Sequence, residues 1–312
     1  MQGDAGRSIP PWTLLILAAG VGRRFGGDKQ LQQVGPGGET LADYSIWDAW
    51  RAGATSIVVV TRQELQEEFS ARTRRWAGRL AARVVVQRLD DVPGGTVPKG
   101  RQVPWGTLHA ALAARAAIPG PFVVVNADDF YGPRAFTLCA EFLRDAPAGS
   151  PSFAAVGYEL TATLSAHGGV SRALLLHGDD ARLAGIVEVA EVAATARGIT
   201  GRSGGGEVRL SGTALVSMNC WALTPGMLPA LFDELVRFLE AHGESLDAEA
   251  RLPDALHRLV VEGRAEGRVL PGGGGWLGMT HPADREPVAA GLRARVARGD
   301  YPADLFAVPS AP

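Results

Sequence analysis

Between residues 20 and 29 the chain sets four glycines and three cations in the order Gly20-Val21-Gly22-Arg23-Arg24-Phe25-Gly26-Gly27-Asp28-Lys29. Coming straight after an apolar run, these glycines belong to a strand-to-helix turn whose backbone N–H groups can converge on phosphate oxygens. Arg24 and Lys29 follow to neutralise them, and the combination points to a nucleoside triphosphate. The order is not the G-x-x-x-x-G-K-[ST] of a Walker loop. Nor is it a dinucleotide fingerprint, because the glycines read G-x-G-x-x-x-G and no acidic ribose contact is evident. Of the 31 basic residues only Lys29 and Lys99 are lysines. A lysine kept in so arginine-rich a chain marks a place for a compact ammonium rather than a planar guanidinium. Further along, Asp128 and Asp129 close a β-branched run, a pattern that by itself reads as a turn. Glu188 alternates with Val187 and Val189 and is either the solvent-facing member of a strand or a ligand contact. Asn219 is the odd polar residue of a core-like strand, facing a ligand or capping an edge.

The elements that would carry these residues follow from hydrophobic period. Strands are predicted at Leu14 to Ala18, Ile57 to Thr61, Ala82 to Gln87 and Phe122 to Asn126. Helices are predicted at Ala42 to Ala52, Glu64 to Trp76 and Thr107 to Ala117. Alternation of strand and helix predicts a mostly parallel sheet covered by helices, with ligands at the carboxyl ends of the strands. The second half reads as α+β, with strands at Phe153 to Tyr158, Ala173 to Leu176, Leu183 to Val189 and Leu215 to Leu223. Its helices are Pro225 to His242, Asp254 to Glu262 and Asp284 to Arg298. Three glycine-heavy stretches punctuate the chain, Val92 to Gly106, Ala196 to Gly206 and Gly272 to Gly275, and the middle one reads as a mobile hairpin tip. No fixed-period repeat is visible, hexapeptide runs included.

Composition narrows the partners. In 312 residues, 31 basic side chains face 33 acidic ones for a net charge of -2. That balance offers no electrostatic footprint for nucleic acid or an anionic membrane, so small-molecule chemistry is expected. The longest apolar run, Leu14 to Ala19, is too short to span a bilayer, and Met1 to Pro11 lacks the apolar core of a secretory signal, so the expected location is the cytoplasm. Cys139 and Cys220 have no partners at metal-ligand spacing and read as small buried hydrophobes.

The stretch from Leu17 to Lys29 resembles the L-A-A-G-x-G-x-R-x-G-x-x-K signature of the nucleotidyltransferases that include sugar-1-phosphate and molybdenum-cofactor nucleotidyltransferases. Trp105-Gly106-Thr107-Leu108-His109-Ala110 is similar to that family's base-facing segment, and Val123-Val124-Val125-Asn126-Ala127-Asp128 to the strand ending in its metal-binding aspartate. Ala155-Val156-Gly157-Tyr158 and Ile186-Val187-Glu188 resemble the sugar-facing strand and the glutamate that meets sugar hydroxyls. The resemblance implies a three-layer α/β/α fold of the nucleotide-diphospho-sugar transferase type, with a mostly parallel sheet and an α+β sugar-binding portion. It implies a Mg²⁺-dependent transfer of a nucleotidyl group from a nucleoside triphosphate to a sugar 1-phosphate, with release of pyrophosphate. Lys29 would stabilise charge on the α-phosphate, Arg24 would hold the leaving pyrophosphate and Asp128 would anchor the Mg²⁺. Leu17, Ala18, Ala19, Gly20, Gly22, Gln102, Gly106 and Thr107 would hold the nucleotide, and Gly157, Glu188 and Asn219 the sugar.

Two departures from the family pattern shape the expectations. The segment Trp276-Leu277-Gly278-Met279-Thr280-His281 brings no acid where a second metal ligand is usual, and Asp284 is the nearest replacement. Arg101 stands where a base-reading glutamine is usual, with Gln102 one residue later, which gives a lean to UTP or dTTP. The expected organisation is an N-terminal tail (1–12), a nucleotidyltransferase domain (13–282) with a nucleotide-binding part (13–150) and a sugar-binding part (151–282), and a C-terminal helix and tail (283–312). That last helix is either a dimer surface or packing, which leaves an oligomer open. The rival readings are a glycosyltransferase on a related sheet, disfavoured because Asp128-Asp129 is not an Asp-x-Asp motif, and a nucleotide-binding sensor without turnover.

Overall fold

The computed structural model describes residues 8–20, 28–147, 149–165, 167–273, 275–279 and 281–307. Four parallel strands form the expected centre: β1 (Trp12–Leu17), β2 (Ala54–Thr61), β3 (Ala81–Val86) and β4 (Phe122–Asn126), in the order β3-β2-β1-β4. Each strand sends alternate side chains to opposite faces, and the sequence fills both faces with apolar residues. Leu14 and Ile16 of β1 enter one core with Ile57, Val59, Val123 and Val125. Leu15 and Leu17 enter the other with Val58, Val60, Phe122 and Val124.

Helices cover both faces, as a sheet apolar on both sides requires. The first core packs α1 (Leu41–Arg51), α4 (Pro133–Asp145) and α7 (Arg285–Ala297); the second packs α3 (Thr107–Ala113), α5 (Met227–His242) and α6 (Leu252–Val261). α2 (Gln66–Arg74) follows a 3-10 turn at Gln63–Leu65, so this helix starts later than its period suggests. α3 likewise gives way to a 3-10 turn at Arg115–Ala117.

Beyond β4 the sheet changes direction. β11 (Leu215–Leu223) runs antiparallel to β4 and also pairs with β6 (Ser152–Glu159), which pairs in parallel with β12 (Glu266–Pro271). The other end of β11 pairs with β7 (Val170–His177), continuing through β8 (Leu183–Thr195), β9 (Gly198–Ser203) and β10 (Gly206–Leu210). A two-residue pair, β5 (Asp129–Phe130) with β13 (Leu277–Gly278), lays the segment after the third glycine-rich stretch beside the end of β4.

The structure corrects the sequence reading in three places. Ala196 to Gly206, read as one mobile tip, is mostly strand: β9 lies between tight turns at both ends and pairs with neighbours on both sides. α4 and β12 occupy stretches where period predicted no element. α4 starts on Gly132, at φ +79°, followed by Pro133 in the first turn, a start that suits proline because its missing N–H has no helical partner to lose. β12 buries only Gly267 and Val269 of its alternating face, so its identity comes from its ladder with β6. Among the described residues no helix is long and apolar enough to cross a membrane.

Candidate active site

The carboxyl ends of β1 and β4 meet at the foot of the glycine-rich loop. The N–H of Ala18 donates to the carbonyl of Val60, and the Leu17 carbonyl accepts the N–H of Ala127, so Leu17 and Ala18 are tied into the sheet. Buried Gln30 donates its side-chain amide to the carbonyls of Ala18 and Gly20, at 3.1 and 3.2 Å, gripping the loop where it leaves the strand. Gly22 and Arg24 lie outside the described residues, whereas Lys29 opens the 3-10 turn Lys29–Leu31 beyond the loop. Its neighbour Asp28 is paired with Arg62, at the end of β2.

Lys29 forms an ion pair with Asp128, the residue two beyond the last of β4. Burial works against the Lys29 charge, but the Asp128 and Asp129 carboxylates outweigh it and hold its pKa above the ordinary lysine value. The two residues picked from separate motifs thus share one point in space. Asp129 points inward instead and is almost fully buried, and burial, with the neighbouring Asp128 charge, pushes its carboxyl up to about 7. A bond from Asn126 and the charges of Lys29 and Arg172 act in the opposite direction.

Asp129 ends a chain of side-chain hydrogen bonds whose direction is fixed from the far end. The indole N–H of Trp221 can only donate, and it donates to Asn219 Oδ1 at 2.8 Å. Asn219 Nδ2 must then face outward, and it donates to Asn126 Oδ1 at 3.0 Å; Asn126 Nδ2 in turn donates to Asp129 Oδ2 at 2.9 Å. The Tyr131 hydroxyl closes the cluster, accepting the Asn126 N–H at 3.0 Å and lying 2.9 Å from the Met218 carbonyl. β11 shifts register between Ser217 and Trp221 to allow this, with Asn219 at φ +68°, a conformation asparagine tolerates better than most residues. Both ends of the Asn219 amide are therefore engaged within the protein.

The base-facing segment is built from a helix start. Gly106 sits at φ +92°, and a Cβ there would stand 2.5 Å from the Ala250 carbonyl oxygen, so glycine is required on both counts. The Thr107 hydroxyl accepts the N–H of Leu252 at 2.9 Å, joining the starts of α3 and α6. Buried His109 is held between Gln87 Nε2 at 2.9 Å and the Asp91 carbonyl at 2.8 Å, and burial lowers its pKa, keeping it neutral. Arg101 stacks its guanidinium 3.4 Å above Trp105 and donates to the carbonyls of Ser245, Pro104 and Ala248, an internal tie. Gln102 beside it is exposed, and its amide makes no hydrogen bond among the described residues.

On the far side, Gly157 lies buried in β6, where an added Cβ would stand 3.0 Å from the Leu215 Cβ. Glu188 on β8 is half-buried, with Arg251 Nη1 3.8 Å from its carboxylate. Burial raises its pKa; Arg251 and Arg172 counter this and Asp254 adds to it. Asp284 accepts the His281 N–H at 2.7 Å and faces His167 Nε2 at 3.6 Å, so its carboxylate works in the turn before α7. No group of three His, Cys, Asp or Glu able to hold a metal occurs among the described residues. A Mg²⁺ ion does not need one, since it keeps several waters and binds through one or two carboxylates plus substrate phosphates, a demand that Asp128 at this strand end meets.

Sequence reasoning missed Arg172, which lies just ahead of the strand predicted from Ala173, and Trp276, whose ring packs over Gly278 beside Asp129. A charged residue three places after a glycine pair, Gly168-Gly169, was the only signal for the arginine.

Residues 14–148 match the family described as MobA-like NTP transferase domain. No curated protein matches the chain. Among solved structures, the inositol-1-phosphate CTP transferase from T. maritima superposes with a TM-score of 0.57 at 12% identity, covering 90% of this chain and 96% of that one. A UDP-glucose pyrophosphorylase complexed with UDP-glucose gives a TM-score of 0.57 at 16% identity, covering 91% and 99%. At those identities the structural likeness speaks for the fold, the nucleotide-diphospho-sugar transferase type expected from sequence. The domain match adds that residues 14–148 of this fold are similar to the MobA-like NTP transferase domain.

Proposed function

We propose that this protein is a nucleotidyltransferase that moves a nucleotidyl group from a nucleoside triphosphate, UTP or dTTP by preference, to a sugar 1-phosphate, releasing pyrophosphate. The observation that carries the reading is the Lys29–Asp128 pair at the carboxyl ends of β1 and β4. Two polyanions must be brought together there, and charge neutralisation is the central difficulty. Lys29 would shift from Asp128 to an α-phosphate oxygen as charge builds on it, and Arg24 is assigned the leaving pyrophosphate. Asp128 would hold Mg²⁺, which when bound supplies Lewis-acid neutralisation of the phosphates. Asp284, engaged by the turn before α7, is the less suited of the two proposed metal ligands.

The nucleotide lies along residues 13–150. Ala19, Gly20, Gly22 and Gly106 offer it backbone and room, while Leu17, Ala18 and Thr107 shape the floor through their ties to β2, β4 and α6. The exposed Gln102 amide can pair with the imide edge of uracil or thymine, which supports the base preference. The acceptor lies along residues 151–282, with Glu188 meeting its hydroxyls, Gly157 leaving it space and Asn219 shaping the wall. The site of action is the cytoplasm.

The test is pyrophosphate release by the purified chain with Mg²⁺, each common nucleoside triphosphate in turn and a panel of sugar 1-phosphates. Release that requires both substrates, strongest with UTP or dTTP, is the expected result. Release with no dependence on any sugar phosphate would refute the acceptor, and silence with triphosphate binding intact would refute the transfer.

A further inference from the structure

Arg172 is a buried guanidinium without a counter-ion. It sits on β7 with 8% of its surface exposed, and no carboxylate stands within ion-pair distance of it among the described residues. Its partners are neutral: Nε donates to the Thr163 carbonyl and hydroxyl, both at 3.1 Å, Nη2 to the same carbonyl, and Nη1 to the Ser171 carbonyl at 2.8 Å. These contacts use one N–H on each of the three nitrogens. A guanidinium has five N–H groups, so one remains on each of Nη1 and Nη2, the pair that meets an oxyanion with two parallel bonds.

The position of that open fork is also informative. The charges that reach Arg172 are those of Asp129, next to Asp128, and Glu188 on the neighbouring strand; the guanidinium carbon lies 5.6 Å from the centre of the Trp276 ring. Arg172 pairs with Val189, so it stands on the strand beside the one carrying Glu188 and within electrostatic reach of Asp129, the neighbour of Asp128. An uncompensated buried charge is costly, and a dianionic ligand group would offset it. The other buried arginine of the site region, Arg101, shows the contrast: its terminal nitrogens are spread over three carbonyls and its face lies on Trp105, so no fork is open.

We propose that Arg172 binds the phosphate of a phosphomonoester acceptor, which fixes the acceptor's attacking group between Lys29 and Glu188. This rests on the nucleotidyl-transfer reading above for the word acceptor, whereas phosphate binding itself does not.

The full chain is titrated calorimetrically without Mg²⁺ against inorganic phosphate, then against each sugar 1-phosphate, with UTP as a separate ligand. The expected result is that R172Q weakens phosphate binding by about tenfold to a hundredfold, the usual worth of hydrogen bonds to a charged group, and leaves UTP binding unchanged. K29A should keep the phosphate affinity, separating the two cations. R172K serves if R172Q does not fold: it retains charge but lacks the fork, and wild-type affinity in R172K overturns the proposal. So does an R172Q protein that binds phosphate as before, or a wild type that binds none. Every sugar phosphate binding more weakly than inorganic phosphate overturns the acceptor assignment. Arg172-dependent phosphate binding without pyrophosphate release from any substrate pair means that the transfer reading fails while this site stands.

Discussion

The strand end that holds Lys29 and the strand that holds Arg172 carry their positive charge in opposite ways. Lys29 is held by a carboxylate, at a strand end reached by a loop, and its ammonium sits on a flexible stem. Arg172 is held by neutral oxygens within the sheet, its planar group locked at all three nitrogens. A paired lysine can exchange its partner as charge develops on a phosphate, which suits a group whose interaction must strengthen in the transition state. A locked arginine presents the same geometry before and after, which suits a group that orients a substrate. The difference suggests that the Lys29 end does the chemistry and the Arg172 end supplies position.

The sharpest way to break that comparison is Lys29→Ala. Loss of one preorganised charge contact to a reacting phosphate costs about a hundred- to thousandfold in kcat, with KM for the acceptor little changed. Steady-state pyrophosphate release measures both constants. A kcat near wild type would remove Lys29 from the chemical step and leave the Lys29–Asp128 pair as a structural tie.

The same comparison shows what the sequence could reveal. β1, β2, β4 and α1 were legible because their apolar period is strong and local, and the Lys29 and Asp128 motifs were legible because each ends such an element. α4 was hidden by a Gly132-Pro133 start that looks like a loop, although its buried face, Ala135, Phe136, Cys139, Ala140 and Leu143, has helical spacing. β12 buries a glycine and a valine and depends on β6 for its existence. Arg172 was illegible for a different reason: an arginine in a strand reads as solvent-facing, and only the fold brings Thr163 and Asp129 around it. Asn219 stood out as polar in a core strand, but nothing local could tell that Trp221 and Asn126 use both ends of its amide.

That amide gives a smaller test of how far the positioning extends. Trp221→Phe keeps an aromatic ring in the core but removes the only donor that fixes the direction of the Asn219, Asn126 and Asp129 chain. A buried carbonyl oxygen left unpaired costs about 1–3 kcal/mol, so chemical denaturation should show a midpoint shift of that size with an unchanged slope. The orientation of Asn126 should loosen with it and lower kcat severalfold, far less than Lys29→Ala. A stability loss with no change in kcat would confine the network to the core and separate it from the site.

The smallest effect lies farthest from both cations, where the C-terminal segment closes over α1. The Tyr301 hydroxyl donates to Asp48 at 2.8 Å, the Leu305 N–H to Glu39 at 3.2 Å, and Arg79 donates to the carbonyls of Leu305 and Phe306. Burial pushes the Asp48 carboxyl up to about 8, against the opposing bond from Tyr301 and the charge of Arg295. Its ordinary value is 3.8, so between about pH 4 and 8 the unfolded chain releases a proton that the folded chain keeps. The contribution of Asp48 to stability is then fully present below pH 4 and is lost as pH rises toward 8. Asp48→Asn keeps an acceptor for Tyr301 but cannot ionise, so the melting temperature of this variant should fall less between pH 5 and 8 than that of the wild type, while kcat at pH 7 stays within about twofold. Equal slopes for the two proteins would mean that Asp48 is ionised in the fold and that Arg295 compensates its charge; an altered kcat would mean that the C-terminal segment reaches the Lys29 end through Tyr44 and Phe130, the rings on which Tyr301 packs.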